Sequence, residues 1–198
     1  SLCINTTPFK LSNLTMSGQF STHIYISIVA GLVAASPVIF YQLWSFIAPA
    51  LRTNERRNSR GAVLIVTFLF VLGVLFGYYL IAPLSINFLA TYSISSEVEN
   101  IINVSSYFST VASIVLASGL VFELPVIAYF LSKIGLMTPS FMRKYRKHSI
   151  IVILIIAAII TPPDVFSQVM VTIPLLILYE ISIGISARVE KQRKMSAL

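Results

Sequence analysis

Ser36-Pro37-Val38-Ile39-Phe40-Tyr41-Gln42-Leu43-Trp44-Ser45-Phe46-Ile47-Ala48-Pro49-Ala50-Leu51-Arg52-Thr53-Asn54-Glu55-Arg56-Arg57 is the stretch on which the reading of this chain turns. It starts inside an apolar run and interrupts that run at Pro37. The run ends in an aromatic cluster of Phe40, Tyr41, Trp44 and Phe46. Pro49 then turns the chain into a cationic loop of Arg52, Arg56, Arg57 and Arg60, with Glu55 among the arginines. Aromatic side chains beside a cationic loop mark the point where a hydrophobic segment meets water at a bilayer surface.

The composition outward from this stretch agrees. The 198 residues are 57% apolar and 11% charged, with a mean hydropathy of +0.88, whereas a soluble domain carries about 25% charged residues. The chain reads as an all-α, polytopic integral membrane protein. The net charge of +7 is not a nucleic-acid signature. Apart from Lys10, every Lys and Arg falls in Arg52–Arg60, Lys133–Lys147 or Arg188–Lys194. Those stretches lie between or after apolar runs, where positive charge sets membrane topology. The single cysteine, Cys3, excludes an intrachain disulfide and a cysteine metal cluster. Asn5, Asn13 and Asn103 spell glycosylation acceptors, and chance accounts for them.

A membrane helix needs about 20 apolar residues. Five segments are expected as helices, near 20–48, 61–90, 105–133, 145–160 and 164–187. They follow a loop at 1–19 and precede a tail at 188–198, in one domain of 1–198. The first, third and fifth inter-segment stretches counted from the start of the chain carry acidic or few charges. The other loops and the tail are basic. The positive-inside rule therefore predicts an external start, five spans and a cytoplasmic C-terminus. The segment Ser149–Ile160 is short: its twelve residues rise about 18 Å against a hydrocarbon core of about 30 Å, which predicts local thinning of the bilayer. In the second segment Gly73 and Gly77 form a small-xxx-small pair that permits close helix packing.

Three places hold candidate chemistry. Glu123, in Phe-Glu-Leu-Pro, is an ionisable side chain at membrane depth, and such residues mark functional sites by default. A helical wheel puts it with Ser109, Ala112, Leu116 and Gly119, mostly small residues that another helix can approach. The alternative is an internal pair that glues the bundle. In the last segment Asp164, Gln168, Thr172, Tyr179, Ser182 and Ser186 form one polar stripe at helical spacing, with Glu180 off it. That stripe contacts either the chain's own helices or a foreign transmembrane helix. Glu55 is either a solvated loop charge or the acceptor of a partner's arginine, whose guanidinium matches a carboxylate bidentately. No enzyme motif is present: His-Glu-x-x-His and Gly-x-Ser-x-Gly are both missing. His23 and His148 fall at opposite faces of the predicted membrane and share no metal.

Three motifs then speak together. The stretch at 36–57, Phe-Glu-Leu-Pro at 122–125 and Thr-Pro-Pro-Asp-Val-Phe-Ser-Gln at 161–168 resemble, in order, the hallmarks of the TatC family, the core multi-span subunit of the twin-arginine protein translocase. The resemblance implies a six-span, glove-like concave fold. The five segments correspond to its second to sixth spans, and residues 1–19 to its first periplasmic loop, so the chain reads as lacking the first span and the tail before it. It implies that Glu55 receives the twin arginines of a signal peptide, with Phe46, Arg56 and Arg57 beside it. It implies that Glu123, with Gln168, Thr172 and Tyr179, meets the single-span TatA and TatB helices, and that Pro162, Pro163 and Asp164 form the last periplasmic turn. The implied partners are twin-arginine signal peptides of folded precursors, TatA, TatB, other TatC copies and the lipid bilayer, with no nucleic acid. The implied work is export driven by the proton-motive force, in the bacterial cytoplasmic (inner) membrane, with no cofactor and no metal. A small secondary transporter or channel using Glu123 as a proton site is the alternative. Such folds carry internal repeats with paired broken helices, and no repeat is evident here.

Overall fold

The computed structural model describes residues 11–47, 59–93, 101–161 and 165–195. The chain is helical almost throughout: α1 (Gly18–Ile47), α2 (Ser59–Phe76) running through a π segment (Gly77–Ile81) into α3 (Ala82–Thr91), α4 (Val104–Val121), α5 (Leu124–Lys133), α6 (Pro139–Lys144), α7 (Arg146–Ile160) and α8 (Val165–Met195). The π segment has a local cause. Pro83 has no N–H to give the carbonyl four residues back, and the ladder slips by one so that Ala82 N–H bonds to Gly77 O instead.

Four stretches among the described residues are long and apolar enough to cross a bilayer: Gly18–Phe46, Val63–Thr91, Val104–Lys133 and Ser167–Gln192. The fifth expected span is α7, whose 15 residues rise only about 22 Å. Its short length keeps the expectation of a thinned bilayer standing. The outer surface is oily, with Phe20, Ile28, Phe68, Phe46, Ile151 and Ile159 all exposed. This is the surface of a multi-pass membrane protein, turned to lipid rather than to water.

The direction of the helices follows from their contacts. A two-residue parallel pairing of Leu11–Ser12 (β1) with Ile102–Asn103 (β2) ties the stretch before α1 to the stretch before α4. Phe40 and Trp44 on α1 stack on Phe70 and Phe130 at 5.3 and 5.1 Å. On α8, Ser186 bonds to Ser132 of α5, while Ile183 packs with Ala128. Hence α1, the α4–α5 pair and α8 run the same way. Ile47, where α1 stops, and Val165, where α8 starts, lie at opposite ends of the helical wall. One core joins Ile81, Ile114, Ile153, Ala157, Val171 and Leu175 from the π segment, α4, α7 and α8.

Three features differ from the sequence reading. The expected helix near 105–133 is interrupted at Phe122–Glu123. Pro125 cannot donate to the carbonyl of Val121, and its ring would crowd that carbonyl. Glu123 therefore carries φ −78° and ψ −3° at the head of a new helix. The stretch expected as a basic loop holds α6, started by Thr138, whose Oγ1 accepts from Phe141 N at 3.3 Å. Finally, the stretch expected as a tail from 188 is helical through Met195.

Candidate functional site

The site is built around the α4–α5 break. Gly73 and Gly77 let α2 lie directly on α4. A Cβ at Gly73 would sit 2.7 Å from Ser118 O and 2.8 Å from Phe122, and one at Gly77 would sit 2.9 Å from Ser118 Oγ. Gly119 does the same from the α4 side: its Cβ would meet Phe70 at 2.8 Å and Val74 at 3.1 Å. Phe122 is buried and stacks on Phe76 at 5.3 Å. The residue before Glu123 is thus held against α2. The small-residue face assigned to Glu123 by the helical wheel is, at Gly119, already filled by α2. The break also removes Glu123 from that wheel.

Glu123 itself is 7% exposed. Its backbone is satisfied, with N–H donating to Leu120 O at 3.1 Å and C=O accepting from Val126 and Ile127 at 2.9 and 3.0 Å. Its carboxylate is not: among the described residues neither Oε1 nor Oε2 has a hydrogen-bond partner. Ser36 Oγ, Trp44 Nε1, Thr67 Oγ1 and Ser118 Oγ, on the helices packed around it, are likewise buried and unbonded among the described residues. Buried polar groups are almost always hydrogen-bonded. Among the described residues the Glu123 carboxyl therefore sits in the helix break with its hydrogen-bonding capacity unused.

The α8 stripe has a different fate. Gln168 Nε2 donates to Leu154 O of α7 at 3.2 Å, and Thr172 is buried with its hydroxyl on Gln168 O at 2.7 Å. Tyr179 Oη donates to Met142 O of α6 at 2.8 Å and accepts from Ser149 of α7 at 2.9 Å. Ser186 accepts from Ser132 at 2.7 Å. Gln168, Tyr179 and Ser186 therefore tie α8 to its own neighbours, while Thr172 and Ser182 bond back to their own helix. Glu180, off the stripe, pairs with Arg146 at 2.6 Å. Ser132, Ser149 and Arg146 were not singled out by sequence; their partners lie 30 or more positions away, beyond any local pattern.

Heights along the wall separate the predicted residues. Measured from the Ser132–Ser186 contact, Glu123 lies about 13 Å up α5, while Tyr179, Thr172 and Gln168 lie about 10, 21 and 27 Å up α8. Tyr179 shares the depth of Glu123; Gln168 does not. Phe46 is 85% exposed, at the end of α1. Glu55, Arg56 and Arg57 lie outside the described residues, as do Pro162, Pro163 and Asp164. No group of three His, Cys, Asp or Glu able to hold a metal occurs among the described residues.

Comparison with known proteins is consistent along the chain. The family model "Sec-independent protein translocase protein (TatC)" matches residues 3–174. The TatC protein of Blattabacterium sp. subsp. Periplaneta americana is 45% identical over 184 residues, which is 93% of this chain and 69% of that protein. TatCy of Bacillus subtilis is 39% identical, over 94% of this chain and 74% of its own. The crystal structure of a twin-arginine translocase receptor, TatC, in DDM superposes with a TM-score of 0.77 at 39% identity, over 92% of this chain and 81% of that one.

Proposed function

Since the chain belongs to the TatC family of Sec-independent protein translocase subunits, we propose that it is the receptor and scaffold of that machine, with its two tasks divided between its ends. Glu55, flanked by Arg56 and Arg57 and with Phe46 nearby in sequence, takes the paired arginines of a signal peptide at the cytoplasmic face. A bidentate guanidinium–carboxylate contact distinguishes arginine from lysine there. Glu123 takes a polar group from the single transmembrane helix of TatA or TatB, at the depth of Tyr179. That helix passes the α8 stretch holding Gln168 and Thr172 nearer its other end, close in sequence to Pro162, Pro163 and Asp164, with Gln168 exchanging its bond to Leu154 O for one to the incoming helix. Further TatC copies complete the receptor, and the proton-motive force drives assembly. The setting is the bacterial inner membrane with the C-terminus in the cytoplasm.

The observation that carries this reading is the buried Glu123 carboxylate with neither oxygen bonded among the described residues. Site-specific photocrosslinking tests the division of labour. Glu55→Gln should abolish crosslinks from a twin-arginine signal peptide and spare those from TatA and TatB. Glu123→Ala should do the reverse. If Glu123→Ala instead abolishes signal-peptide crosslinking at the surface, the two tasks are not separate.

A further inference from the structure

The elbow between α5 and α7 carries a basic cluster on α6 and the residues that flank it. Arg143, Lys144 and Lys147 are exposed within five positions, and none forms an ion pair among the described residues. Arg146, in their midst, is occupied by Glu180 at 2.6 Å. The platform beneath them is rigid. Met142 is 4% exposed and packs on Ala128 and Ile183, its carbonyl accepts from Tyr179 Oη, and Thr138 caps the helix. The cations are interleaved with exposed apolar and aromatic side chains: Ile134, Leu136, Phe141 and Tyr145. Phe141 and Tyr145 stack at 4.6 Å, and Lys144 Nζ lies 6.0 Å from the Tyr145 ring centre.

A water-facing site for an acidic protein has no use for Leu136 at 75% exposure. A bilayer interface does. Aromatic rings settle at headgroup level, and basic clusters next to membrane helices attract anionic lipid. We propose that α6 and the residues flanking it form a binding site for the headgroup phosphate of an anionic phospholipid, with Arg143, Lys144 and Lys147 on the phosphate and Leu136, Phe141 and Tyr145 against the acyl region.

The test titrates phosphatidylglycerol, and separately phosphatidylcholine, into the purified full chain in detergent, with bound lipid counted by native mass spectrometry. Preferential retention of phosphatidylglycerol is expected. The variant Arg143→Gln/Lys144→Gln/Lys147→Gln should weaken it roughly a hundredfold, at about fivefold per cation. Arg188→Gln/Lys191→Gln, which removes the cations either side of Glu190, should leave it within about twofold, well short of that per-cation loss. Unchanged affinity in the triple variant, or an equal loss in the α8 control, overturns the proposal. Displacement of the lipid by inorganic phosphate or by an acidic peptide overturns it too, in favour of a soluble ligand. Should the triple variant fail to fold, Lys144→Gln and Lys147→Gln singly decide by the same fivefold criterion.

Discussion

Ser132 on α5 donates a 2.7 Å hydrogen bond to Ser186 on α8, across 54 positions of chain, and both side chains are buried. This contact fixes the register of two parallel helices from which the depth of every residue on α8 is set. Ser186→Ala removes the acceptor at little change in volume. Interhelical hydrogen bonds in membranes contribute about 0.6 kcal/mol on average, so a small loss of thermal stability in detergent is expected. Ser186→Leu forces a large side chain into a fully buried seam and should cost about 1–3 kcal/mol. Equal melting temperatures for the two variants would show that the seam is looser than its contacts indicate.

The α2–α4 contact gives a sharper contrast. Gly77→Leu drives a side chain into Ser118 and the Val115 backbone, where even a Cβ sits 2.9 to 3.1 Å away. About 1–3 kcal/mol of destabilisation is expected. A Cβ at Gly31 or Gly184 would meet nothing within 4 Å. Gly31→Ala and Gly184→Ala should leave stability unchanged or raise it slightly, because Ala is the better helix former. Thermal unfolding of the purified variants separates the two classes.

Much of this was legible in the residues. Long apolar runs and cationic flanks locate the helices, because a bilayer demands both length and charge asymmetry. The Gly73/Gly77 pair announced close packing and delivers it. Other features were hidden for physical reasons. The break at Glu123 had a signal in Pro125, but proline is tolerated inside α1 at Pro37 and inside α8 at Pro174, so a proline alone does not say which helix will break. The start of α6 had a signal in Thr138-Pro139, a cap followed by proline in the first turn, masked by the surrounding charge. The polar stripe on α8 was readable as a stripe. Which of its members turn inward depends on Leu154, Met142 and Ser132, and no spacing rule reaches that far.

Arg146 and Glu180 are about half exposed, so their ion pair contributes little in high dielectric. Arg146→Gln should cost about 0.2–1 kcal/mol. The difference from the parent should shrink as salt is added, because exposed charges are screened. A large, salt-independent loss would mean that Arg146 holds α7 to α8 by packing rather than by charge.

Glu123 sets stability against function. Its carboxyl is buried without a hydrogen bond among the described residues, and a buried polar group left unbonded costs about 1–3 kcal/mol. Glu123→Leu removes that cost at similar length. The isolated chain should therefore melt at the same temperature or higher, while crosslinking to the partner helix is lost. Glu123→Gln keeps a hydrogen-bonding group and should retain part of the crosslinking. A Glu123→Leu variant that unfolds readily would mean that the carboxyl is bonded inside the chain after all.

The last two helices disagree in length. α7 has 15 residues and α8 has 31, about 22 Å against about 46 Å. Ile150, Ile151, Ile155 and Ile159 of α7 are exposed, so its short apolar face is open to lipid along its height. Against a core of about 30 Å the shortfall is about 8 Å, and each ångström of mismatch costs a fraction of a kcal/mol. The bilayer should thin beside α7, and the chain should be more stable in lipids with short acyl chains. Reconstitution across a series of increasing acyl length, followed by thermal unfolding, should give a melting temperature that falls as the bilayer thickens. Lengthening α7 by four leucines inserted after Ile155 should flatten that dependence. A melting temperature indifferent to acyl length in the parent chain would mean that another surface, not lipid, covers α7.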